Sequence, residues 1–230
     1  ELPVVEYHEL PIGFMYHHAR RVGDLVWIRF HDHFTPSFAQ NGGMFQNFNK
    51  PLLFGRPSLS KWVVPVDDTN SRKFGWRHFD AREEYSQGHR DQVGWEKVDF
   101  YGQTAHRSDE EKRRNPGDWD AWVSQGPINV HKREYLATTD RGVAMLRSRL
   151  RKDIRAVKKG KGVPRPEGTR EKPVPTFGGD TILRAPRRVG DDRELIREVS
   201  LQAAKVYFAG AAYAGGDRVE FMNRELAKLQ

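Results

Sequence analysis

Hydrophobic and polar positions alternate most regularly in the first third of the chain. In RRVGDLVWIRF, Val26, Ile28 and Phe30 alternate with Trp27 and Arg29, the period of two that marks a half-buried strand. The preceding PIGFMYHHARR can pair with it as a hairpin through the Gly23-Asp24 turn. LSKWVVPV and SRKFGWRHF flank the polar Asp67-Asp68-Thr69-Asn70 and predict a second antiparallel hairpin, with Pro65 at an edge or a bulge. Between the hairpins, TPSFAQNGGMFQNFNKPLLFGRP is rich in Gly, Asn and Pro and reads as a long loop. From Asp80 to Arg114 the alternation dissolves into charged and polar sequence, a connection long enough to suggest function.

A helical period follows. TTDRGVAMLRSRLRKDIRAVKK offers Thr139 as N-cap and places Val143, Leu146, Leu150, Ile154 and Val157 on one face, opposite a face of Arg and Lys. Gly160 to Pro175 reads as a linker. DDRELIREVSLQAAKVYF is a second amphipathic helix. DRVEFMNRELAKL is a third, with Asp217 and Glu220 spaced as a capping box. Strands first and helices afterwards predict an α+β fold rather than a doubly wound sheet. The expected organisation is a folded unit over 1–158, a linker or extended arm over 159–190, and a helical tail over 191–230.

Composition narrows the chemistry. No run approaches the about 20 apolar residues of a membrane span, and ELPVVEYHELPIG is not a signal peptide. The chain begins abruptly in strand-like sequence without Met, as a piece cut from something longer would. Cysteine is absent, which excludes disulfides, thiolate metal sites and Cys nucleophiles, and a cytoplasmic location is the expectation. The net charge of +8 is local, because Arg147 to Lys172 holds eleven Lys and Arg against three acids and the remainder balances. KKGKGVPRPEGTREKP has no aromatic for base stacking, so a solvated face is preferred to a nucleic-acid stripe.

Several residues could carry chemistry. His31-Asp32-His33 places two imidazoles on one strand face, a weak metal-site signal set against exposed loop histidines; His17-His18 is weaker, because strand neighbours face opposite ways. There is no G-x-S-x-G elbow and no phosphate loop. NPGDWDAWVSQGP, Asn115 to Pro127, sets Asp118 and Asp120 among tryptophans. Asp118 can cap a helix whose first turn holds Asp120, or one of the two can be a metal ligand beside histidines from elsewhere. Their separation of two residues suits a glycosidase acid pair poorly. The residues alone leave cap and ligand both open.

The run DQVGWEKVDFYGQTAHR, with RNPGDWDAWVSQGPINVHKREYLATTDRGVAMLRSRLRKDIRAV, closely resembles the C-terminal part of the catalytic domain of Rieske non-haem iron oxygenases. Within that family it looks most like the phthalate-dioxygenase and vanillate-demethylase group of α subunits. GFMYHHARRVGDLVWIRF and LSKWVVPVDDTNSRKFGWRHF, with V-P-x-D-D-T and G-W-R, extend the likeness over roughly residues 8 to 158. The resemblance implies a helix-grip fold, a curved antiparallel sheet around a long helix, here a partial catalytic domain. It implies mononuclear Fe(II), with Asp118 as carboxylate ligand because it stands six residues before Ser124 of the Ser-Gln-Gly-Pro run, and Asp120 as the fallback. Trp62, Trp76 and His78 lie on strands expected to wall the cavity, although a core role for the tryptophans is the stronger expectation.

The family's Rieske domain holds a [2Fe–2S] cluster through cysteine, so that part, and the two iron-binding histidines, would lie outside this chain. The implied partners are that missing domain, a reductase or ferredoxin, an aromatic substrate with O₂, and further copies in a homotrimer; nucleic acid and membrane are not among them. The implied reaction is hydroxylation or O-demethylation, with the isolated chain inactive. The competing reading is a non-catalytic helix-grip module that binds a hydrophobic small molecule.

Overall fold

Both predicted hairpins form. The structure, a computed structural model, describes residues 2–43, 50–78, 107–168 and 173–230. β1 (Val4–Leu10), β2 (Gly13–Val22) and β3 (Leu25–Phe34) make an antiparallel meander in which Gly23 turns with φ 59°. β4 (Phe38–Asn41) and β5 (Leu52–Gly55) lie in the stretch expected as loop; each is only four residues long, too short for its alternation to register. β6 (Leu59–Pro65) and β7 (Ser71–Arg77) are the second hairpin, with Pro65 as the last residue of its strand. β8 (Gly179–Arg184) falls within the stretch 159–190 expected as linker or arm, and it pairs with both β3 and β5.

These strands form one open antiparallel sheet in the order β1-β2-β3-β4-β6-β7, with β8 and β5 branching from β3. β3 pairs with β8 from Leu25 to Phe30 and with β4 from Asp32 to Phe34, so its ladder changes partner near Asp32. That carboxylate is fully buried and accepts the N–H groups of Gln40 (3.0 Å), Phe177 (2.6 Å) and Gly178 (3.3 Å). Three backbone donors left at the junction are thereby satisfied.

α1 (Asp109–Arg114) and α2 (Asp118–Val123) are short, and α3 (Arg141–Lys158), α4 (Asp192–Ala209) and α5 (Gly215–Ala227) are longer. α1 falls in the stretch expected to be irregular; Ser108 and Glu111 cap it reciprocally, a spacing visible in the sequence and overlooked there. α4 is capped by Asp191, whose side chain accepts from the N–H of Arg193. α5 starts two residues before Asp217, so Asp217 sits in its first turn and the expected capping box with Glu220 is not formed. α3 is preceded by a short 3-10 turn over Thr138–Asp140, and Asp140 rather than Thr139 stands at its N-cap. The arrangement is helix-grip-like, an open antiparallel sheet followed by C-terminal helices.

One sheet face carries the core. Val26, Ile28, Phe30 and Phe34 of β3 and Met15, His17 and Ala19 of β2 point to the layer formed by α4 and α5, where Ala203, Ala204, Tyr207, Met222 and Leu226 are buried. The Phe30 and Tyr207 rings stack at 3.7 Å between centroids. Thr181 donates to the carbonyl of Leu53, so the Tyr207 hydroxyl, 3.1 Å away, donates to Thr181. A similar deduction orders a buried relay. Ser200 donates to the Arg197 carbonyl, so His17 Nε2–H donates to Ser200 (3.1 Å), and His17 Nδ1 accepts from His8 (3.3 Å).

α3 crosses the opposite face, against β2. Tyr7 of β1 donates its hydroxyl to the Thr139 carbonyl at 2.7 Å, and its ring lies against Gly142, where a Cβ would meet Tyr7 Cε1 at 2.4 Å. Only glycine fits there. Val143, Ile154 and Val157, three of the five residues of the apolar face read from the sequence, are exposed. The face turned to the sheet lies about one residue around the helix and holds Gly142, because close approach to Tyr7 outweighs the burial of that stripe. No helix among the described residues is long and apolar enough to cross a membrane.

Two outcomes follow from this packing. Gly142→Ala should lower stability by about 1–3 kcal/mol in urea denaturation despite alanine's better helix propensity; an unchanged or higher midpoint would mean that Tyr7 yields freely. The second concerns pH. Burial holds His17 at about 3, whereas in the unfolded chain it titrates near 6.5. The unfolded state therefore takes the proton first, and stability drains away between pH 6.5 and 3, about 2 kcal/mol of it by pH 5. His18 and His33, each held down to about 4 by burial, act the same way. Asp32 opposes them: burial raises it to about 6, so stability returns as pH falls from 6 toward 3.8. One carboxylate does not offset three imidazoles. The urea midpoint should fall from pH 7 to pH 5, and a flat profile would contradict these burials.

Candidate functional site

Strand alternation that sends Ile28 and Phe30 into the core sends Trp27, Arg29, His31 and His33 to the opposite face, the one crossed by α3. Phe14, Tyr16 and His18 of β2 join them by register. Rings from the two strands interleave: Phe14 with His33 at 5.1 Å, Tyr16 with His31 at 4.8 Å, and His31 with His18 at 5.2 Å, all within 14° of parallel. β3 thus continues as strand through Phe34, and the histidines predicted for an exposed loop are instead packed in a ladder of rings. His31 is 4% exposed.

His18 Nε2 and His31 Nε2 are 3.2 Å apart, which requires a proton on one and a lone pair on the other. Burial, reinforced by Arg29, keeps both imidazoles neutral, and burial pushes the Tyr16 phenol up to about 12. His31 Nδ1 and Arg29 Nε are buried without a hydrogen-bond partner. Arg29 Nε stands 3.9 Å from the fully buried Asp180, and its guanidinium lies 5.2 Å from the centre of the Trp27 ring.

Cations extend this face toward α2. Lys61 pairs in register with Ala39, itself opposite His33, and Lys73 lies one strand further on β7. Burial, with Lys73 as a like-charged neighbour, brings Lys61 down to about 8, and Asp118 resists the shift. Burial likewise lowers Lys73, again against Asp118, and its ammonium sits 4.6 Å from the Trp122 ring centre. Asp118 is therefore within electrostatic reach of the two lysines of this face. It is the first residue of α2, after Gly117 as N-cap.

The two aspartates of the motif differ sharply. Asp120 pairs with Arg107 and accepts the Gly117 N–H at 3.0 Å, so its carboxylate closes the start of α2. Asp118 has no hydrogen bond or ion pair among the described residues, which leaves both its oxygens available as donors to a hard cation. No group of three or more His, Cys, Asp or Glu that could hold a metal ion occurs among the described residues. A single carboxylate such as Asp118 is chemically suited to give one oxygen to a divalent metal ion, but the described residues bring no further His, Asp or Glu together with it to complete a ligand set.

Trp62, Trp76 and His78 are placed elsewhere. Trp62 and Trp76 alternate with Lys61 and Gly75, so they lie on the face away from Asp118. Trp76 is 69% exposed, and it meets Trp62 edge to face at 6.3 Å. His78 hydrogen-bonds Ser60 at 2.9 Å, and Ser60 accepts from Gln40. Register thus sets the two tryptophans on the sheet face away from Asp118, where Trp62 meets Phe38 at 5.1 Å at the margin of the core and Trp76 is largely exposed. Lys61 and Lys73, the charged neighbours of Asp118, were missed in the sequence; a lone lysine in LSKWVVP was the signal for Lys61, whereas Lys73 sits among Arg72 and Arg77 in SRKFGWR and carried none. The DQVGWEKVDFYGQTAH part of the sequence motif lies outside the described residues.

No family model matches the chain. It is 37% identical over 219 residues to the oxygenase subunit of tert-butanol monooxygenase / tert-amyl alcohol desaturase of Aquincola tertiaricarbonis, a match covering 91% of this chain and 45% of that protein. It is 28% identical over 165 residues to phenoxybenzoate dioxygenase subunit alpha of Ectopseudomonas oleovorans, covering 69% and 36% respectively. The chain spans less than half the length of either relative. With its motif and its helix-grip-like sheet, the chain is homologous to α-subunit members of the Rieske-type oxygenase family.

Proposed function

We propose that these residues are the C-terminal portion of an oxygenase catalytic domain and that Asp118 gives one carboxylate ligand to mononuclear Fe(II). The observation that carries this reading is the contrast between the two aspartates: Asp120 is consumed by Arg107 and the Gly117 N–H, whereas Asp118, beside Lys61 and Lys73, has no hydrogen bond or ion pair among the described residues. Ferrous iron bound there supplies O₂ activation for hydroxylation or O-demethylation of an aromatic substrate. The chain's own share is to bind and shield. Asp118 is an anionic donor whose orientation the two ammonium groups bias toward the sheet. Tyr16, His18, His31 and His33, stacked on one another on the sheet face crossed by α3, would give an aromatic-rich, water-poor flank to such a site.

The other iron ligands, and a [2Fe–2S] cluster fed by a reductase or ferredoxin, belong in this reading to protein outside these 230 residues, since the chain has no cysteine to hold such a cluster in the Rieske manner. A homotrimeric, cytoplasmic assembly is part of the same proposal. The narrower likeness to the phthalate-dioxygenase and vanillate-demethylase group is part of the same proposal; V-P-x-D-D-T and G-W-R, in β6, β7 and the turn between them, support the wider family.

In the complete subunit, Asp118→Ala should abolish iron retention and turnover, measured by metal analysis and O₂ uptake. Asp120→Ala should leave iron bound while loosening α2. The reverse result would transfer the ligand role to Asp120. Titrated with Fe(II), the 230-residue chain alone should bind weakly and show no turnover. Tight stoichiometric binding would instead mean that histidines within it complete a site.

A further inference from the structure

Not one of residues 107–140 is buried, although this segment contains seven large apolar side chains besides its charges: Trp119, Trp122, Val123, Ile128, Val130, Tyr135 and Leu136. Tyr135 is 97% exposed and Leu136 51%. α3, which follows, buries only Gly142 and turns Val143, Ile154 (54%) and Val157 (61%) outward. Between the two lies a groove of about 340 Å³ lined by Leu136 and Ala144, with His131, Glu134, Arg147 and Arg151 around it. Its wall is fixed: Arg147 holds Glu134 at 2.7 Å, which ties the 131–136 segment to α3. An apolar surface of this extent on an ordered scaffold is what an interaction site leaves when its partner is removed.

The geometry points to one occupant, and the inference rests on the reading of the chain as part of a longer oxygenase subunit. We propose that the outward stripe of α3 and the adjoining groove form the docking surface for the rest of that subunit, the part of the relatives' length this chain does not span. Two observations choose it over a second copy. The chain matches only 45% and 36% of its relatives' lengths, so most of a subunit remains to be placed. The stripe is also rimmed by Arg141, Arg151, Lys152, Arg155 and Lys158, none of which makes an ion pair among the described residues. Two copies meeting through α3 would bring like charges together, whereas an apolar ridge flanked by carboxylates would neutralise them.

The test uses the 230-residue chain with a defined probe, the part of the Aquincola tertiaricarbonis oxygenase subunit outside the matched 219 residues, co-expressed with an affinity tag. The chain should co-purify with the probe, and Ile154→Glu combined with Val157→Glu should reduce recovery at least tenfold. Both positions are over half exposed, so the urea midpoint of the isolated chain should not move. Equal recovery of the double variant would overturn the assignment. So would failure of the unaltered chain to bind, or sedimentation showing a homo-oligomer that the double variant dissolves. With a chelator present to keep iron out, Asp118→Ala should bind the probe like the unaltered chain, so failure of the iron reading and failure of this surface give different results.

Discussion

The fold turns on a change of partner in β3. A strand that pairs with β8 along one half and β4 along the other must leave backbone donors stranded where the two ladders part. The Asp32 carboxylate closes that gap by accepting N–H groups from Gln40, Phe177 and Gly178, which come from parts of the chain more than a hundred residues apart. Replacing those bonds with water is not an option at a fully buried position. Without the junction, β4, β6 and β7 would have no defined position relative to β1, β2 and β8. Lys61 and Lys73 lie on the far side of that junction from the ring ladder of β2 and β3, so the shape of the whole polar face depends on it.

The two sheet faces do opposite physical work. The face under α4 and α5 is apolar and closed, with its few polar groups ordered into directed relays such as His8–His17–Ser200. The face under α3 is populated by imidazoles, phenols and cations, several with unmet hydrogen-bonding capacity. His17 and His18 make the division concrete. Neighbours in sequence, they enter different environments because a strand alternates, and each is kept neutral by burial on its own side.

How far this could be read in advance depended on the length of each signal. The two hairpins announced themselves through alternation sustained over seven to ten residues and through unambiguous turns. β4, β5 and β8, at four to six residues, carried too few positions to stand out from Gly- and Pro-rich surroundings. α3 was legible as a helix but not in its orientation, because Gly142 against Tyr7 decides which side approaches the sheet and a single glycine carries no periodicity. The aspartate pair could be located but not told apart: Arg107, which occupies Asp120, is thirteen residues away in sequence. Trp62 and Trp76 were misplaced for lack of register, which shifts a side chain across the sheet when it moves by one residue.

β8 also has a bearing on how the protein is made. Its partners on β3 precede it by about 155 residues, so the flank of β3 between Leu25 and Phe30 waits for that much more chain to be made before β8 can pair with it. Contacts of such long range slow folding and leave strand edges open to wrong neighbours in the interim. The nascent protein therefore passes through a stage in which its central strand is half clothed, and translation of β8 sets the moment at which that exposure ends.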